Sequence, residues 1–199
     1  ITSVSVGNSF GRLLALRLHA FWAANASPPE FHILEPGPES GQLALDIFSA
    51  AKTIDPAFHA AIHYHALEPM TAKREALQSR FAQTDETRLL VHPSANDLHF
   101  PFGAVLANEI IDALPVHLIE WQQDQWLERR VTCDDTGFTW STSPISTPGL
   151  REALPEFQPT PDDGYFTEIS LEYHNFFAPL STALHSGLLL FIVAMLDIL

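Results

Sequence analysis

The chain has 199 residues, 46% of them hydrophobic and 17% charged, a composition that indicates one large globular domain and excludes a disordered chain. The formal net charge of -14 disfavours nucleic acid and anionic membranes as partners, whereas a basic partner or plain solubility both agree with it. Cys133 is the single cysteine, so no internal disulfide or cysteine-rich zinc site can form, and a reducing compartment is expected.

We expect neither a signal peptide nor a membrane span at the ends of this sequence. The start lacks the charged-then-apolar order of a signal peptide. The longest apolar run, residues 187–196, is shorter than the roughly 20 residues that a membrane helix needs. We interpret it as a strand buried on both faces. Because the chain begins at Ile1 and ends on apolar residues, we expect it to be incomplete at its C-terminus.

The hydrophobic spacing predicts four helices and five strands in chain order. The helices are predicted at residues 10–24, 42–51, 71–81 and 173–185. The strands are predicted at residues 31–34, 61–67, 88–92, 103–107 and 188–193.

Short apolar strands that alternate with helices predict an α/β fold, namely a Rossmann-like, mostly parallel sheet flanked by helices with right-handed crossovers. We expect a single domain over residues 1–199. Residues 116–140 differ, because apolar and polar residues alternate there between two turn signals, QQDQ and DDTG. They predict an antiparallel β meander. The following residues 141–164 hold five prolines and are expected to be irregular, so the whole insertion spans residues 116–165.

Ligands of an open parallel sheet bind beyond the carboxyl ends of its strands, so the residues that follow each strand are the candidates for a site. The first strand leads into EPGPESGQL, where Glu35, Gly37 and Gly41 could bring backbone amides to a ligand at a helix N-terminus. Glu68 follows the second strand and could accept hydrogen bonds from both hydroxyls of a ribose. The alternative is a surface turn and an acid at a strand end. Both features within one βαβ unit favour a cofactor site.

The third and fourth strands end in further polar residues. Asp97, in SANDL, could bind an adenine amino group, although a turn residue is an equal alternative. Asn108, Glu109 and Asp112 follow the fourth strand in ANEIIDALP, where clustered carboxylates favour a ligand or a cation. The alternative is that Asp112 caps a helical turn and Glu109 is solvated.

The ten histidines are the other candidates for chemistry. His59, His63 and His65 are closely spaced, but no HExxH pattern follows them. We therefore interpret the histidines as structural or exposed, and we predict no metal site.

Together these motifs resemble the MidA-like family of class I S-adenosylmethionine-dependent methyltransferases. EPGPESGQL is similar to the family pattern E-x-G-P-G-x-G-x-L, and ANEIIDALPV to the more specific N-E-[LV]-[LIF]-D-A-L-P-V. Three weaker segments also resemble the family, namely SVSVGNSFGRLLA near the start, FTEIS around Glu168, and SGLLLFI near the end. The matching residues of the two main motifs are Glu35, Gly37, Pro38, Gly41, Leu43, Asn108, Glu109, Asp112, Ala113, Leu114, Pro115 and Val116.

The resemblance implies S-adenosylmethionine as cofactor and methyl transfer to a protein arginine, as in the family's mitochondrial members that act in respiratory complex I assembly. On this basis the cofactor contacts are assigned to Glu35, Gly37, Gly41, Glu68, Asp97 and Asn108. Catalysis is assigned to Glu109 and Asp112, because carboxylates can orient a guanidinium by paired hydrogen bonds. Glu168 is assigned to substrate binding. The expected compartment is the cytoplasm of a bacterium or the mitochondrial matrix of a eukaryote.

Three departures from the family pattern keep two other functions open. Glu39 replaces the second glycine of the loop, the I-D-Y-G turn of the family does not follow the last apolar run, and the chain is short for the family. A methyltransferase fold without catalysis, kept for assembly or interaction, is the first alternative. A methyltransferase of small molecules is the second.

Overall fold

Residues 8–156 and 159–193 are described by a computed structural model of the protein. The chain divides into two compact units, one formed by Ile1–Ala113 with Phe177–Leu199 and the other by Leu114–Phe176. The predicted insertion, residues 116–165, lies within the second unit. The beginning of the N-terminal motif at residues 1–7, and residues 194–199, lie outside the described residues.

Secondary structure alternates between helix and strand in the first unit and is mainly β in the second. In chain order the elements are α1 (Ser9–Ala24), β1 (Phe31–Pro36), α2 (Gln42–Ile54), α3 (Pro56–Ala61), β2 (Ile62–Leu67), α4 (Thr71–Phe81), β3 (Leu89–His92), β4 (Phe100–Asn108), β5 (His117–Gln122), β6 (Gln125–Asp134), β7 (Gly137–Pro144), β8 (Phe166–Ile169), α5 (Tyr173–Ala183) and β9 (Leu184–Ile192).

The first unit contains a five-stranded sheet in the order β3-β2-β1-β4-β9, and every pair of neighbours is parallel. This confirms the predicted α/β architecture. Side chains alternate between the two faces of each strand, so Ile33 and Tyr64 share one face with the core residues of α1, α2 and α4. His32 and His65 lie on the opposite face. The helices of the β1–β2 and β2–β3 connections therefore cover one side of the sheet.

The connection between β1 and β2 contains a helix that the periodicity did not predict. Asp55 ends α2 and begins α3, because its carboxylate accepts hydrogen bonds from the backbone of Ala57 at 2.8 Å and of Phe58 at 3.4 Å. Pro56 stands at the first position of α3, where its missing N–H is tolerated. The helix is six residues long, too short for a 3.6-residue period to be visible in the sequence.

The final strand corrects the expectation of a strand buried on both faces. β9 begins at Leu184, four residues before the predicted start, and Leu189 is 50% exposed. Within the described residues β9 pairs only with β4 and forms the edge of the sheet. An apolar run has the same composition in either position, so the sequence alone did not distinguish an edge from a centre.

The second unit is a four-stranded antiparallel sheet in the order β7-β6-β5-β8. The predicted meander is confirmed as β5, β6 and β7. The expectation for the following segment was wrong in part, because residues 141–144 continue β7 instead of forming an irregular loop. The sequence did not predict β8, which pairs with the free side of β5. The sequence STSP shows no alternation of apolar and polar residues, because Ser141, Thr142 and Ser143 place small polar side chains on both faces of β7. The pattern therefore did not indicate a strand there.

No helix in the described parts of the chain combines the length and the apolar character that crossing a bilayer would require.

Candidate functional site

A cleft of about 190 Å³ opens in the first unit at the carboxyl ends of β1 and β4. One wall is the loop that joins β1 to α2, including Gly37 and Glu39, and the other is the turn of Asn108 and Glu109 that follows β4. This is the edge of a parallel sheet at which ligands bind. The structure therefore brings the two motifs together, although Glu35 and Asn108 are 73 positions apart in the sequence.

The backbone of the β1–α2 loop turns three times into the left-handed region. Gly37 has φ +66° and Gly41 has φ +75°, and Glu39 between them has φ +46°. A Cβ at Gly37 would lie 2.6 Å from Cδ1 of Ile110 across the cleft. A Cβ at Gly41 would lie 2.6 Å from the ring of Phe81 in α4. Gly37 thus shapes the cleft, whereas Gly41 is required for the packing of the loop against α4 and does not line the cleft.

Glu35 is a buried carboxyl group on the wall of the cleft. It is only 4% exposed, and its Oε2 accepts a hydrogen bond of 2.8 Å from the hydroxyl of Tyr64 on β2. Burial raises the pKa of Glu35 to about 7; the Tyr64 hydrogen bond opposes this and the charge of Glu39 adds to it. Burial and the Glu35 charge together raise the pKa of Tyr64 well above its usual value, so the tyrosine stays a donor.

Asn108 and Glu109 form the opposite wall. The Oδ1 atom of Asn108 is buried and has no hydrogen-bond partner among the described residues. Glu109 has φ +49°, and its N–H donates a 2.7 Å hydrogen bond to the carbonyl of Ile192 in β9, which fixes the turn. A buried acceptor without a donor is unfavourable, so this wall fits a ligand that carries an N–H or O–H group.

Glu68 lies at the end of β2, on the same sheet edge as Glu35. It is 5% exposed, and its Oε1 accepts a 2.8 Å hydrogen bond from the backbone N–H of Met70, just before α4. The guanidinium of Arg74 binds its backbone carbonyl at 3.0 Å. The side chain is therefore held in place at the position expected for a ribose contact, but it does not line the cleft.

Three other predicted residues lie away from the cleft lining. Asp97 is exposed in the β3–β4 connection. Asp112 is exposed in the short 3-10 turn Ile111–Ala113. Glu168 is exposed on β8 of the second unit, opposite Leu118 of β5. The roles assigned to these three residues stay predictions.

The histidines of the first unit are largely structural, as the sequence indicated. His19 pairs with Asp55 at 3.2 Å and His59 with Glu86 at 2.8 Å. Within the described residues, no three His, Cys, Asp or Glu side chains are arranged to hold a metal ion. The sequence did not predict how the histidines are arranged, however. Three of their imidazoles form a hydrogen-bonded chain across the sheet. His32 Nδ1 lies 3.0 Å from His65 Nε2, and His65 Nδ1 lies 3.0 Å from His92 Nε2.

Tyr64 and Ile110 are site residues that the sequence did not single out. Tyr64 is fully buried, and its hydroxyl reaches Glu35 from the neighbouring strand. Alternation in IHYHAL places Tyr64 on the face opposite His63 and His65, which is the only sequence signal for this contact. Ile110 directly follows Asn108 and Glu109, and it fits against the cofactor loop because Gly37 has no side chain.

An all-parallel sheet with a left-handed, glycine-containing loop after β1 and a buried acid at the end of β2 defines a Rossmann-like fold of the cofactor-binding type. Residues 13–192 match the family described as "Putative S-adenosyl-L-methionine-dependent methyltransferase". The match covers most of the chain, and the protein belongs to this family of methyltransferases. S-adenosylmethionine is accordingly its cofactor.

Two curated relatives are similar to part of the chain. The mitochondrial protein arginine methyltransferase NDUFAF7 homolog of Drosophila melanogaster is 27% identical over 147 residues, which are 64% of this chain and 33% of that protein. The mitochondrial protein arginine methyltransferase NDUFAF7 of Danio rerio is 27% identical over 153 residues, 67% of this chain and 36% of that protein. The chain thus matches about a third of the length of these relatives.

Two solved structures from Burkholderia thailandensis share the fold. One is described as a "likely methyl transferase" bound to S-adenosyl-homocysteine; its TM-score is 0.71 at 24% identity, and the match covers 96% of this chain and 48% of that one. The other, an uncharacterized protein of the same superfamily, has a TM-score of 0.72 at 23% identity over 96% and 50% of the two chains. These similarities confirm the class I methyltransferase fold.

Proposed function

We propose that the chain is the cofactor-binding part of an S-adenosylmethionine-dependent methyltransferase whose acceptor is a protein arginine. The observation that carries this proposal is the cleft at the carboxyl ends of β1 and β4, where Glu35, Glu39 and Glu109 lie with the free acceptor of Asn108. None of the described residues that line it is Lys, Arg or His. Such a cleft favours cations, and both the cofactor and an arginine are cationic. The names of the two curated relatives support arginine as acceptor.

The residues present fit the cofactor. Glu35 and Asn108 offer acceptors for its ammonium group, and the loop at Gly37 allows close approach of the backbone. Glu68, on the adjacent strand end, is placed for the ribose hydroxyls. When bound, the cofactor supplies a methyl group activated by its sulfonium.

Glu109 is the acceptor-orienting residue in this proposal. Its backbone is fixed by Ile192, and its side chain lies on the cleft wall opposite the cofactor loop. A carboxylate can hold two N–H groups of a guanidinium at once, which orients the third nitrogen and localises the charge. Asp112, which is three residues after Glu109 and exposed, is proposed to assist only in attracting the acceptor.

A fold kept for partner contacts without catalysis is the second candidate, and Glu39 is the observation that favours it. The residue is in the left-handed region, where glycine is preferred, and its negative charge lies close enough to raise the pKa of Glu35. The cleft of about 190 Å³ is also smaller than the roughly 300 Å³ at which ligand pockets usually begin. For either candidate we propose the bacterial cytoplasm or, in a eukaryote, the mitochondrial matrix.

Calorimetric titration with S-adenosylmethionine and S-adenosylhomocysteine tests the proposal, with the natural sequence and Glu39→Gly side by side. We expect micromolar binding by the natural sequence and methyl transfer to an arginine-bearing peptide. Binding that appears only in Glu39→Gly would instead support the inactive candidate. Glu75→Gly is the control: Glu75 is exposed on α4 and does not line the cleft, so this change should not alter affinity.

A further inference from the structure

Tyr64 and Glu35 form a buried acid pair to which no role has been given beyond the cofactor contact of Glu35. The carboxyl group is 4% exposed, Tyr64 is fully buried, and one 2.8 Å hydrogen bond joins them. The pair faces the helix-covered side of the sheet, because Tyr64 is opposite Ile33 in the register of β1 and β2, and Glu35 is two residues further on.

Among the residues that the structure describes, the charged groups around Glu35 leave its negative charge without compensation. Tyr64 contributes a neutral hydroxyl from β2, the β1–α2 loop contributes the carboxylate of Glu39, and the turn after β4 contributes Glu109 to the same cleft. A carboxylate buried beside other carboxylates and without a cation is unfavourable, and it lowers its free energy by keeping a proton.

We propose that Tyr64 positions Glu35 as a proton-linked acceptor, so that binding of the cationic methionine part of the cofactor expels the proton that Glu35 holds in the free protein. This inference rests on the proposed function, since it requires the cofactor to bind in the cleft. Tyr64 donates to Oε2 and directs the other carboxyl oxygen to the ligand. The ammonium group of the ligand then donates to Glu35, and the carboxyl proton passes to the buffer, so no bond other than this O–H is broken.

The linkage has a definite sign and midpoint. Because the pKa of Glu35 in the free protein is about 7, the group is about 90% protonated at pH 6 and about 10% protonated at pH 8. Binding should release up to about 0.9 proton from Glu35 at pH 6 and about 0.1 at pH 8. The contribution of Glu35 to the apparent affinity, taken as the ratio of the natural protein to Glu35→Gln, should rise about tenfold between these two pH values. The reason is that a smaller fraction of the protein has to lose a proton before the complex forms.

Calorimetry in buffers of different ionisation enthalpy measures the protons released per bound S-adenosylhomocysteine or S-adenosylmethionine. Glu35→Gln abolishes proton release from residue 35. Proton exchange by the ligand's amino group, which titrates near pH 8, remains the same in every variant. The difference between the natural protein and Glu35→Gln therefore isolates Glu35. S-adenosylhomocysteine lacks the sulfonium, so release with this ligand assigns the effect to the ammonium group.

Two variants should move the midpoint of proton release in opposite directions. Tyr64→Phe removes a hydrogen bond that favours the charged carboxylate, so release should persist to higher pH. Glu39→Gln removes a neighbouring negative charge, so release should end at lower pH. Glu75→Gln removes an exposed carboxylate on α4 and should leave the midpoint unchanged. A residue with a purely structural role would not give shifts of opposite sign.

Two outcomes overturn the inference in ways that can be told apart. If the ligand binds with the same proton release in the natural protein and in Glu35→Gln, the proposed proton linkage is refuted, whereas the proposed function stands. Absence of binding to either ligand at every pH would overturn the proposed function together with this inference. If Tyr64→Phe does not fold, the shift in Glu39→Gln decides, because Glu39 is exposed on the loop.

Discussion

At the scale of single residues, two glutamates with left-handed backbones face each other across the cleft. Glu39 has φ +46° and Glu109 has φ +49°. A side chain in this region costs about 1 kcal/mol or more relative to the usual conformations, so such residues persist where surrounding contacts hold them, and they cluster at functional sites. Glu109 is held by its hydrogen bond to Ile192. This strain makes Glu109 a better candidate for chemistry than the exposed Asp112.

Glu109→Gln should separate acceptor orientation from cofactor binding. The amide has nearly the shape of the carboxylate, but it cannot accept two N–H groups of a guanidinium or attract its charge. We expect S-adenosylhomocysteine affinity within about twofold of the natural protein and a loss of methyl transfer to an arginine peptide of about 100-fold or more.

Two further variants make this test specific. Asp112→Asn should reduce transfer far less, because Asp112 is exposed outside the cleft lining, and Glu75→Gln should have no effect. Full transfer by Glu109→Gln would refute its proposed role.

At the scale of elements, the face of the sheet opposite the main helices carries the histidine chain. The β3–β4 connection, residues 93–99, contains no helix, although it must pass β2 and β1 to reach β4. Phe100, at the start of β4, stacks on His32 with 4.0 Å between ring centroids and on His65 with 4.3 Å. The ring of Phe100 and the three hydrogen-bonded imidazoles thus pack together on this face of the sheet. In this kind of fold a helix often covers that face.

The hydrogen-bonded chain of three histidines requires a neutral imidazole at its centre, His65. Burial lowers the pKa of His65 to about 3, and the neighbouring imidazoles of His32, His92 and His63 add to this effect. Burial likewise lowers the pKa of His32 and of His92, although Glu30, at 3.6 Å from His32, partly opposes the shift of His32. A neutral imidazole donates one hydrogen bond and accepts one, which is what the central position of the chain requires.

Acid should therefore destabilise the natural protein more than His65→Gln. The native pKa of His65 is below the unfolded value of 6.5, so its contribution is complete above pH 6.5 and is lost as the pH falls from 6.5 towards 3. Between pH 7.5 and pH 5 the natural protein should lose about 2 kcal/mol more free energy of unfolding than the variant. Urea unfolding at a series of pH values measures this difference.

The interval above pH 7.5 is the internal control for this experiment. His65 is neutral there in both the folded and the unfolded chain, so the two proteins should show parallel stability profiles. Profiles that stay parallel down to pH 5 would show that His65 takes up a proton as easily in the native protein as in the unfolded chain.

At the scale of the whole molecule, the net charge of -14 and the acidic cleft have the same sign. A strongly acidic surface attracts basic partners over distances comparable to the Debye length, about 10 Å at 0.1 M salt. The proposed arginine-bearing acceptor is such a partner. Charge by itself does not select arginine over lysine, so the selection has to come from the carboxylate geometry of the cleft.

Salt should weaken acceptor binding without changing acceptor choice. Raising the ionic strength from 50 to 300 mM should raise the KM for a basic arginine peptide roughly tenfold, because screening removes the long-range attraction. The same peptide with lysine in place of arginine should bind with similar salt dependence but should not be methylated. A salt-independent KM would argue for an apolar recognition surface and against the electrostatic account.

The sequence by itself determined the fold class, the antiparallel meander and the two motifs of the cleft. Hydrophobic periodicity in the strands and turn residues at their ends are local properties of the sequence, and the predicted strands form where these patterns occur. The sequence missed α3, β8 and the edge position of β9, because a six-residue helix shows no period and an apolar run does not reveal how many neighbours a strand has.

Only the tertiary structure decided which of the predicted residues meet. Parallel pairing of β1 with β4 brings Glu35 and Glu109 to one cleft, and the register of β1 with β2 brings Tyr64 to Glu35. The same folding leaves Asp97 and Asp112 exposed. Burial, hydrogen bonding and the perturbed pKa of Glu35 depend on contacts between distant parts of the chain, so no local pattern in the sequence could contain them.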